Sequence, residues 1–258
     1  MTALERALRR DRALVGLGLV AVLAPVWLYL VRTSLDMYGA MSGPAAWMMR
    51  PTWDTRFAAL VFAMWAVMMA GMMLPSASPA ILIYARVARS GQAPEHPVLR
   101  AYLFAAGYAL VWGGFSLLAT ALQGVLAGAA WMTPMMESAT PWLSAGLLAL
   151  AGLYQWSDQK RACLRHCRGP VAFIAGHWRP GATGALRMGA LHGLYCVGCC
   201  WALMLLLFAG GVMSLAWIAG LAVFVLFEKL SPFGEAGDRA VGAILLGAAA
   251  VVLARAQA

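Results

Sequence analysis

Leu186-Arg-Met188-Gly-Ala-Leu-His192-Gly-Leu-Tyr-Cys196-Val-Gly-Cys199-Cys200-Trp-Ala-Leu-Met204-Leu-Leu-Leu-Phe-Ala-Gly-Gly211 carries one charge, Arg187, at its start. A helix needs about 20 apolar residues to cross the hydrocarbon core at 1.5 Å per residue, and this run is long enough. Met188, His192, Cys196, Cys200 and Met204 recur every fourth residue, with Cys199 three beyond Cys196. Residues spaced by three and four share a helix face. One face therefore presents two thioethers, an imidazole and three thiols in a column of roughly 24 Å.

Outward from this segment the chain stays apolar. Of its 258 residues, 63% are hydrophobic and 11% charged, against about 45–50% and about 25% in soluble domains. Lipid is the expected solvent for most of it. The fold class expected is all-α, a polytopic transmembrane bundle of about seven spans, with six as the alternative. The spans run 13–31, 57–75, 101–127, 141–156, 186–211, 213–228 and 239–254 in a single integral membrane domain (1–258). The fourth, sixth and seventh are short for a crossing. Residues 13–31 follow Arg6, Arg9, Arg10 and Arg12 but lack a small-x-small cleavage pattern, so they read as a retained first span rather than a signal peptide.

The net charge of +9 belongs to the loops. With the N-terminus inside, fifteen of the nineteen Lys and Arg residues fall on the cytoplasmic side, a strong positive-inside bias. That orientation predicts a cell (inner) membrane protein with a cytoplasmic N-terminus and, for seven spans, a C-terminus outside. No basic stripe is interleaved with aromatics, so nucleic acid is not an expected partner. The outer loop 33–56, with Met37, Tyr38, Met41, Trp47, Met48, Met49 and Trp53, reads as interfacial. The inner segment 157–185 reads as a basic loop.

Thiolate and thioether donors select copper(I), and zinc accepts thiolate and imidazole. Asp and Glu are missing from 186–211, which leaves hard cations poorly served. Buried cysteine also serves as a small apolar filler, but three within five positions, one turn after an intramembrane His, point to chemistry. Met64, Met68 and Met72 form a second ladder on span 57–75, with mid-span Met68 expected at the depth of Cys196. A Met stripe alone is ordinary core packing; beside a Cys/His helix it becomes a row of copper(I) donors. Pro75 and Pro79 should break or kink that helix. Cys163 and Cys167 flank His166 in the basic loop, where neighbouring cations would favour thiolate, as a dock for an arriving or departing metal or as a redox pair. Glu228-Lys229 is read first as an interfacial anchor, with pairing of the acid to its neighbour or a facing Arg, or a proton relay, as the alternatives, and His96 and His177 as loop residues without partners.

Trp65 to Pro75, the Lys160/Cys163/Cys167/Arg168 segment, and Cys196-Val-Gly-Cys199-Cys200-Trp201 running to Met204 and Glu228-Lys229 together resemble the predicted metal-binding integral membrane protein family, a domain of unknown function. The resemblance covers about residues 55 to 235, with Gly-Cys-Cys-Trp its most specific part. It implies metal binding without fixing the metal or the activity.

The expected function is thus to bind and translocate a soft metal ion, copper(I) first and zinc second. The ligands are Cys196, Cys199, Cys200, His192, Met204, Met188, Met64, Met68, Met72, Cys163 and Cys167. Expected partners are the lipid bilayer and either a metal chaperone or another membrane subunit. A membrane thiol–disulfide oxidoreductase is the alternative, with a structural subunit behind it, and haem through His192 is weak for want of a second axial ligand. Walker, G-x-S-x-G, H-E-x-x-H and dinucleotide motifs are absent from the sequence, so pumping driven by ATP within this chain is not expected, and an enzyme is the less favoured reading.

Overall fold

The computed structural model describes residues 3–39, 53–90, 96–230 and 234–257. Met41, Trp47, Met48 and Met49 of the expected interfacial loop lie outside the described residues. The rest is all-α: α1 (Ala3–Met37), α2 (Thr55–Ser90), α3 (Pro97–Gly128), α4 (Pro141–Gln155), α5 (Asp158–Arg168), α6 (Pro170–Gly176), α7 (Gly181–Met204), the single turn α8 (Leu207–Gly210), α9 (Leu215–Leu230) and α10 (Gly234–Gln257).

Among the described residues, five stretches are long and apolar enough to cross a membrane: Arg9–Met37, Thr55–Arg89, Pro97–Gly128, Gly181–Gly210 and Ala236–Gln257. The expected spans 141–156 and 213–228 are helical, but α4 has 15 residues and α9 has 16. Each rises only about 23 Å.

Local chemistry sets the boundaries. Asp54 accepts from the Phe57 N–H at 2.7 Å at the start of α2, and Thr140 from the Leu143 N–H at 3.3 Å at the start of α4; these side chains occupy helix ends whose first N–H groups lack internal partners. The basic segment is not a loop. Ser157 accepts from the Lys160 N–H at 3.1 Å and opens α5. Asp158 lies in its first turn, Arg165, His166 and Arg168 in its last, the charge order a helix dipole favours.

Pro75 and Pro79 do not break α2, which runs through both. Each proline removes the N–H that would bond the carbonyl four residues earlier. Both carbonyls are served from elsewhere: the Trp27 indole of α1 donates to Gly71 O at 3.2 Å, and the Ser78 hydroxyl to Pro75 O at 2.7 Å.

α3 is the central helix, packed along both α2 and α7. Its approach to α7 depends on glycine: a Cβ on Gly107 would strike the Leu186 carbonyl, and one on Gly189 the Phe104 carbonyl. Small residues permit such close backbone contact between apolar helices. Gly189→Ala is expected to force the pair apart and destabilise the protein towards the upper end of the roughly 1–3 kcal/mol cost of overpacking, read as a lower melting temperature in detergent; an unchanged melt would refute the tight crossing. α4 and α10 meet through Gly152 and Gly242 in the same way.

Contacts gather at two ends. Tyr38 donates to Glu137 at 2.8 Å, Trp53 lies on Gly124 and Glu137 beside Gly211. At the other end are the Asp11–Arg89 pair, the Trp156 indole donating to Arg239 O at 3.1 Å, Lys160–Glu228 at 2.8 Å and Arg168–Asp238 at 3.3 Å. The outward faces between these ends are apolar, with Leu17, Leu110, Leu118, Val125, Val223 and Ile244 all exposed.

Candidate metal centre

The column on α7 turns wholly inward: Met188, His192, Cys196, Cys199, Cys200 and Met204 are all buried. Within it the three cysteines converge, their sulfurs lying within 4.8 Å of one another. A helical turn brings i, i+3 and i+4 together. The Cys199 and Cys200 thiols donate to the Cys196 carbonyl at 3.1 and 3.0 Å, so they fold back over the same turn.

Other elements close around this turn. The Lys229 ammonium of α9 donates to Cys196 Sγ at 3.0 Å and to Ser76 Oγ of α2 at 2.7 Å. The Tyr108 hydroxyl of α3 lies 3.0 Å from Cys196 Sγ and donates to Met73 O at 3.1 Å. From α5, Cys167 Sγ reaches to 3.9 Å from Cys199 Sγ, and Lys160 donates to Cys199 O at 3.0 Å.

α5 can come this close because residue 198 is glycine: a Cβ there would stand 2.6 Å from Cys163 Sγ. Tyr154 donates to the Gly198 carbonyl from the other side. Cys163 and Cys167 therefore face different parts of α7. The flanking cations do not hold their thiols down, contrary to expectation. Burial pushes the Cys163 thiol up, and hydrogen bonding to the Cys196 and Cys199 thiols, then burial, pushes Cys167 well up.

Glu228 and Lys229 are not interfacial anchors. Both are buried; Glu228 pairs with Lys160 while Lys229 meets the thiol turn. Charged groups in apolar spans face the bundle interior and pair there, a signal that was available in an otherwise uncharged 215–227. Tyr108 and Ser76 had no such signal, since nothing in their local sequence marks them.

His192 stands apart from the thiols. Its ring sits among Phe173 at 5.0 Å and Phe104 and Tyr108 at 5.9 Å each, and the tight thiol group comprises the three cysteines alone. Met188 is further from the turn, accepting the Arg179 N–H at 3.3 Å. Met64, Met68 and Met72 are buried, but their register differs from expectation. Trp65 rests on Phe208 at 5.1 Å, and Cys196 and Ser76 share the Lys229 nitrogen. The α2 atoms bridged to Cys196 are thus Met73 O, through the Tyr108 hydroxyl, and Ser76 Oγ, through Lys229.

The family model that matches residues 62–252 is described as PpoB2, a copper chaperone. The chain belongs to the PpoB2 copper chaperone family. The match spans α2 to α10 and so contains the thiol turn and every group that touches it. Neither a curated protein nor a solved structure matches the chain. Membership narrows the metal-binding expectation to a family whose description names copper.

Proposed function

We propose that this chain is an integral membrane protein that binds copper(I) at Cys196, Cys199 and Cys200 and moves it along the bundle interior. The observation that carries this reading is the convergence of three buried sulfurs within 4.8 Å in a member of a copper chaperone family. Sulfur donors suit copper(I). Lys229 supplies a positive charge against the negative charge that a copper–thiolate group carries, which a buried site needs. Cys167 is the fourth sulfur within reach, and Met72, Met68, Met64 and Met204 offer thioethers towards the opposite end. Several weaker sites in a row suit conduction better than one tight one.

A bilayer location is supported by the five long apolar helices and the apolar outward faces. Seven crossings follow if α4 and α9 each span a locally thinned bilayer: both close at the end that holds Trp156–Arg239 and Lys160–Glu228, and α9 opens with Trp217 against Gly210 at the other. The N-terminus is then cytoplasmic and the C-terminus outside. Cys163, Cys167 and the basic face of α5 lie on the cytoplasmic side, where a soluble copper carrier or a second membrane subunit would exchange the ion. Four thiols also suit zinc, though the thioethers do not.

Anaerobic loading of the detergent-purified protein decides between these. Wild type is expected to retain copper(I) in preference to zinc, and the Cys196/Cys199/Cys200→Ser variant to lose the sulfur-bound equivalent. Zinc alone in the wild type would overturn the copper assignment, and no metal in either would leave the thiols without a ligand role. A thiol–disulfide function has one observation in its favour, the 3.9 Å between Cys167 and Cys199 sulfurs. It predicts a Cys167–Cys199 cross-link after mild oxidation that copper(I) does not prevent.

A further inference from the structure

We propose a second copper(I) site at the cytoplasmic end, formed by the imidazoles of His166 on α5 and His177 just after α6, which receives or releases the ion handled by the thiol turn. The inference rests on the reading of copper as cargo. The ring centroids are 6.1 Å apart. Two imidazoles sharing one ion end to end, at roughly 2 Å per metal–nitrogen bond, stand with their centroids at about that separation.

The tautomers suit ligation. His166 Nδ1 lies 3.0 Å from the Ala162 carbonyl, and His177 Nδ1 lies 3.0 Å from the Phe173 carbonyl. A carbonyl only accepts, so Nδ1 carries the hydrogen in each ring, and in the neutral ring Nε2 keeps its lone pair. An Nδ1–H held by a backbone carbonyl is the usual outer support of a ligating histidine, because it fixes the ring and raises the basicity of the other nitrogen.

Both rings are also held in plane. His166 stacks on Tyr195 at 3.9 Å and 4°, and His177 on Phe173 at 4.9 Å and 25°. The two histidines are half-buried, open enough for an ion to arrive. Imidazole accepts copper and zinc alike, but zinc fills four positions, and a two-donor site favours copper(I). His166 adjoins Cys167 in the chain, the thiol that reaches Cys199. Phe173 touches both His177 and His192. The pair thus stands one residue from the sulfurs and outside them.

The test titrates copper(I) anaerobically, against a competing chelator, into the full-length detergent-purified chain. His166→Phe/His177→Phe keeps aromatic rings in both stacks and removes the nitrogens; it should bind one equivalent fewer than wild type. The Cys196/Cys199/Cys200→Ser variant should keep one copper with nitrogen-only, two-coordinate X-ray absorption, and adding the Phe pair should remove it. His177→Gln is the second variant, should the double Phe protein fail to fold, and should lose the same equivalent. Equal stoichiometry in wild type and a folded Phe variant overturns the imidazole site. So does loss of all copper from the triple Ser variant, which would leave the thiol site standing alone. Copper retained in the triple Ser variant and lost with the Phe pair supports the imidazole site whatever the fate of the thiol reading.

Discussion

Cys196→Ala is expected to weaken copper(I) binding by more than 100-fold in an anaerobic competition titration. Cys196 is the sulfur on which the site converges: Lys229 and Tyr108 both lie 3.0 Å from it, and the other two thiols bond its carbonyl. Loss of an outer partner of a metal ligand typically costs about 10–100-fold in affinity, and loss of the ligand itself should exceed that. Lys229→Met supplies the comparison. It keeps every sulfur and removes the ammonium, so the stoichiometry should persist while affinity falls within that outer-partner range. Cys163→Ala should change affinity only a few-fold, because Cys163 lies against Gly198 and outside the group of three sulfurs. Equal losses from Cys163→Ala and Cys196→Ala would refute the assignment of the centre to the α7 turn.

Glu228→Gln is expected to cost about 3–5 kcal/mol of stability, the penalty for leaving one member of a buried ion pair without its partner. Lys160 is 1% exposed, and its ammonium meets Glu228 at 2.8 Å and one backbone carbonyl, Cys199 O, at 3.0 Å. Arg168 adds a second tie from α5, donating to Glu228 O at 3.0 Å. These contacts hold α5, and with it Cys167, against α7. The variant should melt earlier in detergent and expose Cys167 to a thiol-reactive probe. Lys160→Met combined with Glu228→Leu should recover most of the loss, since replacing a whole buried pair by apolar groups is often neutral. A double variant as unstable as Glu228→Gln would show that the pair is not the cause.

What is legible in this sequence follows the physics of periodicity. A helix repeats every 3.6 residues, so the inward face of α7 could be read directly from Met188 to Met204, and the three thiols could be placed on one turn. Apolar length marked the long helices in the same way. Contacts between helices obey no such local rule. Which α2 residues stand beside Cys196 depends on Tyr108 and Lys229, which bridge to Met73 and Ser76 from other helices. Glu228 and Lys229 read as anchors in the sequence because a charge at the end of an apolar run is locally indistinguishable from a charge folded inward. α5 reads as a loop in the sequence because its polarity hides an amphipathic helix, although the Ser157-Asp158 start and Gly169-Pro170 stop are present. His177 gained partners only when α5 and α6 folded onto α7.

By itself the sequence determined an all-α chain rich in apolar helices, with sulfur donors concentrated on one face of one of them, because composition and helical period are local properties. Tertiary structure decided which of those donors meet. It brought Lys229, Tyr108, Ser76 and Cys167 to a turn that already held three thiols, left His192 in an aromatic box, and set two surface histidines side by side. These outcomes depend on glycine-permitted helix approaches and on buried charge pairs between segments distant in the chain, and neither is written in any one window of residues.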